Sequence, residues 1–457
     1  MVYALRGAVQ LRALKAGRSD GYNECMCGIA GVFHFKNAQR VTEAVVGAMR
    51  DTLVHRGPDE GGTYRTSDGM LGLGNRRLKI LDLSRAGAMP MHDAERKLWI
   101  TYNGEIYNFR ELRKELEGRG HRFISTGDTE VILASYREYG FSCVNRLNGM
   151  FAFALWDEER KRLFCARDHL GVKPFYYAIR KGTLFFGSEA KAILAHPDFP
   201  KELNEEALPL YLTFSSVPAP ETLFRGVKKL PAAHTLTISA GGEPEIREYW
   251  NPLMGSPVKD GEAFFVRETL NLLTDSIRGQ MVSDVPFGCF LSGGIDSSTN
   301  AALMTKALGR PVETFSVGAS ATDQYNEFEY SRLMGRRLGS KVHERFIGDQ
   351  DVLSFLDAYP KYADDPVGDP VCIPLFWLSE LTRRSGVTVI QVGEGADELF
   401  AGYDAYRRAA ALPRSWEKLA RLRSGESRAR IRAEVLASHP EPEYWERILL
   451  SRTFTGK

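Results

Sequence analysis

The chain has 457 residues, and ~150 residues per domain predicts about three domains or two large ones. With 43% hydrophobic and 26% charged residues it has the composition of a folded globular protein, neither disordered nor fibrous. Lys and Arg number 60 against 58 Asp and Glu, and the resulting charge of +2 gives no support for a nucleic-acid or polybasic membrane partner.

The longest apolar runs, such as Met150–Trp156 and Ala207–Leu212, fall far short of the ~20 residues a spanning helix needs, so a soluble, cytoplasmic protein is expected. Cys25, Cys27, Cys143, Cys165, Cys289 and Cys372 include no C-x-x-C pair, and most read as small buried thiols in a reducing compartment.

Residues 1–26 stand apart. Arg6, Arg12, Lys15 and Arg18 precede the first acid, Asp20, but there is no continuous apolar core and no small-residue cleavage site. The segment reads as a weak transit-like leader, or as residues upstream of the true start at Met26.

Short strands dominate as far as residue 240. A helix is predicted over Thr42–Leu53. Leu98–Tyr102 and Ile106–Tyr107 flank Asn103-Gly104, which predicts a hairpin turn because both residue types tolerate positive φ. Helices follow at Phe109–Leu116, with Asn108 as N-cap and Gly118 beyond the end, and at Thr129–Tyr139. Phe151–Trp156 pairs with Arg162–Ala166 around Asp157–Lys161, and Tyr176–Ile179 pairs with Thr183–Phe186 at Lys181-Gly182. The pattern is α+β with antiparallel sheets.

Residues 241–261 read as a linker. Beyond it, strands are predicted at Val285–Leu291, Val312–Val317, Val342–Ile347 and Val387–Val392. Helices are predicted at Phe264–Met281, Ser297–Leu308, Glu327–Leu338 and Leu375–Arg384, with Gly309, Gly339 and Gly386 as stops. Such alternation predicts a doubly wound parallel sheet with ligands beyond the carboxyl ends of its strands.

The sharpest motif is Leu291-Ser292-Gly293-Gly294-Ile295-Asp296-Ser297-Ser298, between a predicted strand and a predicted helix. Two glycines admit a close polyanion, the hydroxyls add donors, and the helix N-terminus adds free N–H groups. Asp296 inside an anion site implies a bridging Mg²⁺. No Walker Gly-Lys-Ser/Thr element is present, and a plain strand-to-helix turn is the alternative. Gly393-Glu394-Gly395-Ala396-Asp397-Glu398 places three carboxylates after the last strand, either for metal or substrate or as a solvated helix start.

In the first half, a chain beginning at Cys27 has its own α-amino group available as general base for the thiol; a buried strand cysteine is the alternative. Asn103-Gly104 could aim an amide and a backbone N–H at an oxyanion, or simply turn. Arg77 could fork onto a carboxylate or lie on a solvated face. Asp128 could pair with an ammonium or cap a helix.

Together these residues resemble the glutamine-dependent asparagine synthetases. The likeness runs through Cys27–Phe33, His55-Arg56-Gly57-Pro58-Asp59, Tyr102–Asn108, Asn148–Phe153, Arg167–Gly171, Leu291–Ser298 and Gly393–Tyr403. It implies a glutaminase domain over 27–240, a four-layer αββα sandwich of the N-terminal-nucleophile class. It implies a doubly wound, ATP-pyrophosphatase-type synthetase domain over 262–457. By the same resemblance Cys27 is the nucleophile, and Asn103 and Gly104 form the oxyanion hole. Arg77 binds the glutamine α-carboxylate and Asp128 the α-amino group, with Leu78, Ile80, Leu81 and Glu105 lining the pocket. Leu291, Val317, Val392 and Gly393 contact ATP, and Ser292–Ser298 holds its phosphates. Asp296 and Asp397 ligate Mg²⁺, and Glu394 assists formation of an aspartyl-adenylate.

The implied substrates are glutamine, aspartate and ATP, and a homodimer is compatible with the likeness. The sequence departs from the family in three places. Residues 1–26 would block the nucleophile if retained. Val392 stands where a serine is usual, so contact there must be through backbone. The family continues beyond residue 457 through helices carrying basic residues, so the synthetase domain is expected to be incomplete at its C-terminus. A related amidotransferase acting on another carboxylate, and an inactive regulatory remnant, are the alternatives.

Overall fold

The computed structural model describes residues 10–12, 26–252, 258–319, 328–403 and 406. Its elements in chain order begin with β1 (Gln10–Arg12), β2 (Gly28–His34), α1 (Glu43–Asp51), β3 (Glu60–Arg65), β4 (Leu71–Arg77), β5 (Met91–His92) and β6 (Leu98–Ile106). Next come α2 (Phe109–Gly118), α3 (Thr129–Tyr139), β7 (Gly149–Asp157), β8 (Arg162–Arg167), β9 (Tyr176–Arg180), β10 (Thr183–Gly187), α4 (Ala190–Leu194) and α5 (Leu208–Phe214). β11 (Lys228–Lys229), β12 (His234–Ser239) and β13 (Glu245–Glu248) complete the first half. The second half contains α6 (Glu262–Gln280), β14 (Phe287–Phe290), α7 (Ile295–Leu308), β15 (Glu313–Ala319), α8 (Phe328–Leu338), β16 (Val342–Ile347), α9 (Asp349–Tyr362), α10 (Cys372–Arg384), β17 (Val389–Gln391) and α11 (Ala396–Phe400). Two compact units meet at the Gly393–Glu394 bond.

The first half folds as two six-stranded antiparallel sheets, ordered β11-β9-β10-β2-β4-β3 and β13-β12-β8-β7-β6-β5. Strand periodicity explains the layering. On β7, Ala152, Ala154 and Trp156 join Ile29, Phe33, Leu71 and Leu73 between the sheets, while Phe151, Phe153 and Leu155 face the other way. α2 and α3 cover that second face with Leu112, Leu116, Val131 and Ile132. α1 and α4 cover the outer face of the first sheet with Val46, Met49 and Ile193. The result is the expected αββα sandwich. The turn at Lys181 (φ +47°) and Gly182 (φ +72°) also forms as read.

Two expectations fail here. Asn103-Gly104 is not a hairpin turn, because β6 runs unbroken through it and pairs Asn103 with Ala152 and Gly104 with Phe151. Glycine is required at 104 for closeness: a Cβ there would lie 2.3 Å from the Met150 carbonyl oxygen. The stretch 241–261 is not all linker either. Gly241 (φ +74°) turns the chain into β13, which pairs with β12 and extends the sheet to Glu248. Tyr249 then packs on the helical layer and donates from its hydroxyl to the Arg167 carbonyl at 2.8 Å.

In the second half β17, β14, β15 and β16 form a parallel sheet in that order, and β1 pairs antiparallel along the outer edge of β17. Residues read as leader thus contribute backbone to this sheet. Cys289 and Leu291 face Ile277 of α6 and Ala301 and Met304 of α7; Phe290, Phe315 and Ile390 face Leu378 of α10. Helices on both faces make the sheet doubly wound, as expected. The helix α9 escaped the sequence reading because Pro360 lies in its last turn and only Phe355 is fully buried. Its start is set by Asp351, whose Oδ2 accepts from the Gly348 N–H at 2.9 Å.

In the second unit, Gly395 (φ +87°) opens the short helix α11 and Ala401 (φ +55°) ends it. Among the described residues no helix is long and apolar enough to cross a membrane.

Candidate active sites

Cys27 immediately precedes β2 and is buried. The backbone N–H of Leu78, the residue after β4, donates to its Sγ at 3.4 Å. Arg56 Nε donates to the Cys27 carbonyl at 3.4 Å, and Arg56 Nη1 is held by Glu189 Oε1 at 2.9 Å. His55 Nε2 meets the same carboxylate at 2.9 and 3.0 Å, and Lys191 Nζ lies 3.0 Å from its Oε2. Burial pushes the Glu189 carboxyl up, but the His55 hydrogen bond and the charges of Arg56, His55 and Lys191 outweigh it. The group is held far below the usual carboxylate range. No role was assigned to Glu189 from sequence; the His55-Arg56 dipeptide that it anchors was visible only as a motif.

β6 crosses the same core. Tyr102 shares a buried cluster with Cys27 and Leu78, and the next residue, Asn103, is 1% exposed. Neither Nδ2 nor Oδ1 of Asn103 has a hydrogen-bond partner among the described residues. A buried amide left unpaired costs about 1–3 kcal/mol, which is the cost an oxyanion donor carries until its ligand arrives.

Asp128 does not cap α3 as its position suggested. Its Oδ2 accepts from Tyr102 Oη at 2.7 Å and from the Ile106 N–H at 2.8 Å. Burial raises the Asp128 carboxyl, a shift these hydrogen bonds only partly offset, and burial with the Asp128 and Glu105 charges drives the Tyr102 phenol well above its ordinary value. Tyr102 is therefore a site residue that sequence reasoning missed.

Arg77, Leu78, Ile80 and Leu81 fall on β4 and the turn after it. The Arg77 guanidinium is committed to that turn: Nη1 donates to Ser84 O at 3.4 Å, and Nη2 to Leu81 O at 3.1 Å and Asp82 O at 2.6 Å. It also pairs with Glu60 at 3.5 Å. In this structure Arg77 shapes the 78–84 loop around Cys27. Glu105 is buried on the same strand as Asn103.

One expected result follows from Asp128. Its charged form fades as pH falls through a value above the ordinary 3.8, so if it holds the α-amino group of glutamine, as the resemblance implies, glutamine KM should climb at the acid end of the profile. Asp128→Asn should remove that limb and raise KM at neutral pH by roughly thirtyfold, about 2 kcal/mol for an ammonium left without its charged partner. Steady-state glutaminase kinetics against pH check both; an unchanged acid limb in the variant refutes the assignment.

In the second half, β14 leads into Leu291–Ser298. The Leu291 N–H donates to Phe315 O at 2.9 Å, continuing the sheet. Gly293 (φ +90°) is required twice, by its dihedral and because a Cβ would lie 2.4 Å from Tyr330 Cβ. Gly294 caps the 14-residue helix α7. Ser297 Oγ accepts from the Ser292 N–H at 3.2 Å and meets Ser292 Oγ at 2.9 Å, while Ser298 Oγ is buried without a hydrogen-bond partner among the described residues. Asp296 lies in the first turn of α7. Gly393, after β17, lies beside its backbone, where a Cβ would sit in ordinary van der Waals contact 3.4 Å from Asp296 O. Gly393, the last residue of the first unit, therefore lies beside the first turn of α7. Val392 and Val317 pack into the apolar cluster beside α10.

In the second unit, Glu398, Asp397 and Glu394 act on one group. Their charges, Glu398 foremost, raise the Tyr403 phenol. Gly402 follows because a Cβ there would lie 1.9 Å from Asp397 Oδ1.

A glutamine amidotransferase domain model matches residues 26–250, and an asparagine synthase model matches residues 268–454. The glutamine-hydrolyzing asparagine synthetase 1 of Bacillus subtilis is 38% identical over 390 residues, covering 85% of this chain and 60% of that protein. The putative glutamine-hydrolyzing asparagine synthetase 2 of Methanocaldococcus jannaschii is 36% identical over 400 residues, covering 83% and 76%. Among solved structures, glutamine phosphoribosylpyrophosphate amidotransferase from B. subtilis complexed with ADP and GMP aligns at 15% identity with a TM-score of 0.38, over 65% of this chain and 68% of that one. The chain thus spans 60% of the length of the B. subtilis synthetase. With both domain models in order, and a relative matched over three quarters of its length at 36% identity, this chain belongs to the glutamine-hydrolysing asparagine synthetase family.

Proposed function

We propose that the chain carries glutamine-dependent amidation of aspartate to asparagine, driven by conversion of ATP to AMP and pyrophosphate. The observation that carries this reading is the buried Asn103 amide, unpartnered among the described residues, on the strand that packs against Cys27. The Cys27 thiol attacks the glutamine amide, the α-amino group freed at residue 27 takes its proton, and Asn103 with the Gly104 N–H stabilises the oxyanion. Asp128 pairs with the substrate ammonium. Collapse of the tetrahedral intermediate releases ammonia, and water hydrolyses the thioester.

Ammonia does not displace oxide from a carboxylate, so the β-carboxylate of aspartate must first be activated, here as an acyl-adenylate. Leu291–Ser298 receives the nucleotide phosphates on the N-terminus of α7, where the buried Ser298 hydroxyl supplies a donor. The donor chemistry of Asp296 suits a hard cation that takes its other ligands from phosphate and water. Among the described residues, no cluster of three or more His, Cys, Asp or Glu side chains would hold a metal by itself. Bound there, Mg²⁺ would neutralise phosphate charge. Glu394 carries the family's role of assisting adenylation.

The deciding assay incubates the chain with glutamine, ATP and aspartate and measures glutamate, asparagine, AMP and pyrophosphate. Glutamate release with amidation of some other acid would move the assignment to a related amidotransferase; no glutamate release would end it. Within this scheme Asp296→Asn should weaken Mg²⁺-dependent ATP use on the order of ten- to hundredfold and leave glutaminase turnover unchanged. Parallel loss of both activities would indicate misfolding instead.

A further inference from the structure

The turn between α6 and β14 reaches the glutamine pocket. Ser283 Oγ accepts from the Val285 N–H at 3.2 Å and donates to the Val285 carbonyl at 3.0 Å, which projects Asp284 outward. Asp284 then makes two bonds to the loop after β4. Its N–H donates to the Ile80 carbonyl at 3.1 Å, and its Oδ2 accepts from the Asp82 N–H at 2.9 Å. The two bonds run in opposite senses across two residues, so they fix the position and the orientation of the loop.

That loop is the scaffold of the Cys27 site. Just before it, the Leu78 N–H contacts Sγ. Within it, the carbonyls of Leu81, Asp82 and Ser84 receive Arg77. Asp82 sits in the left-handed region (φ +51°), where a non-glycine residue is strained unless its neighbours hold it. Its Oδ2 accepts from the Thr126 N–H at 2.8 Å, two residues before Asp128, and its Oδ1 accepts from the Ser84 N–H at 3.1 Å. Asp284 therefore braces the residue that joins the Cys27 side of the pocket to the Asp128 side. Three residues after Asp284, β14 begins its run to the Ser292–Ser298 loop.

We propose that Asp284, a residue of the nucleotide-binding half, is a positioning residue for the glutaminase site: it holds the 80–82 loop in the conformation that binds glutamine. The proposal rests on the reading of Cys27 as a glutaminase nucleophile. Asp284 is exposed and adds no core packing, so its replacement leaves both cores intact.

The test compares the full chain with Asp284→Ala and Asp284→Asn, measuring glutamine kinetics and amide hydrogen exchange over residues 78–84. Loss of one neutral-to-charged hydrogen bond at a strained loop should raise glutamine KM about three- to tenfold in Asp284→Ala, with kcat within about twofold. Exchange at the Asp82 amide should quicken. Asp284→Asn keeps an acceptor oxygen and should restore KM and protection. A purely structural role would instead lower kcat and melting temperature together in both variants. If the parent chain releases no glutamate, the functional reading fails while exchange at residue 82 still decides the brace. Unchanged exchange, or an unchanged KM in an active parent's Asp284→Ala variant, overturns the proposal.

Discussion

Cys27→Ala should lower glutamate release from glutamine by on the order of a thousandfold or more, and leave amidation supported by added ammonia intact. The magnitude follows from chemistry: without the thiol no thioester forms, and the remaining oxyanion donors assist only direct attack by water. The fold should tolerate the change, because the contacts of Sγ with the Leu78 N–H at 3.4 Å and the Leu78 carbonyl at 3.8 Å are long. Glutamate release and ammonia-dependent asparagine formation measured side by side separate the two halves of the reaction. A variant that still hydrolyses glutamine at the parent rate would disprove the N-terminal-nucleophile reading.

The largest expected effect on stability comes from Glu189→Gln. Glu189 binds His55, Arg56 and Lys191 in a nearly dry site, where the Arg56 side chain is only 5% exposed. Removing the charge leaves that guanidinium without its buried counter-ion, which costs about 3–5 kcal/mol. For a sandwich of roughly 220 residues that lowers the melting midpoint by about 10 °C. The sign of the pH dependence is also determined. The folded carboxyl is depressed, so its contribution is complete above the ordinary value of 4.5 and fades as pH falls below it toward the depressed folded value. Parent and variant should therefore converge in stability as the medium is acidified. Denaturation midpoints between neutral pH and pH 3 check this; a gap that stays constant across that range would show that another interaction dominates. Because Arg56 also holds the Cys27 carbonyl, glutaminase activity should fall with stability.

Local signals were legible wherever a few neighbouring residues decide the conformation. Lys181-Gly182 is a tight turn in any context, and Gly309 in the left-handed region stops α7. The pairing of Phe151–Trp156 with Arg162–Ala166 was legible from the charged turn between them. The nucleotide loop was legible for the same reason, since Gly293 and Gly294 meet a backbone demand within one strand-to-helix turn.

Asn103-Gly104 shows where that reasoning stops. Two residues that favour a turn lie in a central strand because β7 packs against Gly104 too tightly for any side chain, and that neighbour arrives from 47 positions away. Asp128 has the identity and position of an N-cap, yet its carboxylate goes to Tyr102 and Ile106, brought there by the sheet. Composition, periodicity and turn chemistry by themselves determined two halves, one of antiparallel sheets and one with a doubly wound parallel sheet, together with the glycine-rich strand-to-helix turn at Leu291–Ser298. Only tertiary structure decided which polar groups are buried and paired: Glu189 on Arg56, Arg77 on its own loop, Asp284 on Asp82. The ion pair and the brace join residues more than 130 positions apart, and the value of each depends on loss of water, which no local stretch of sequence records.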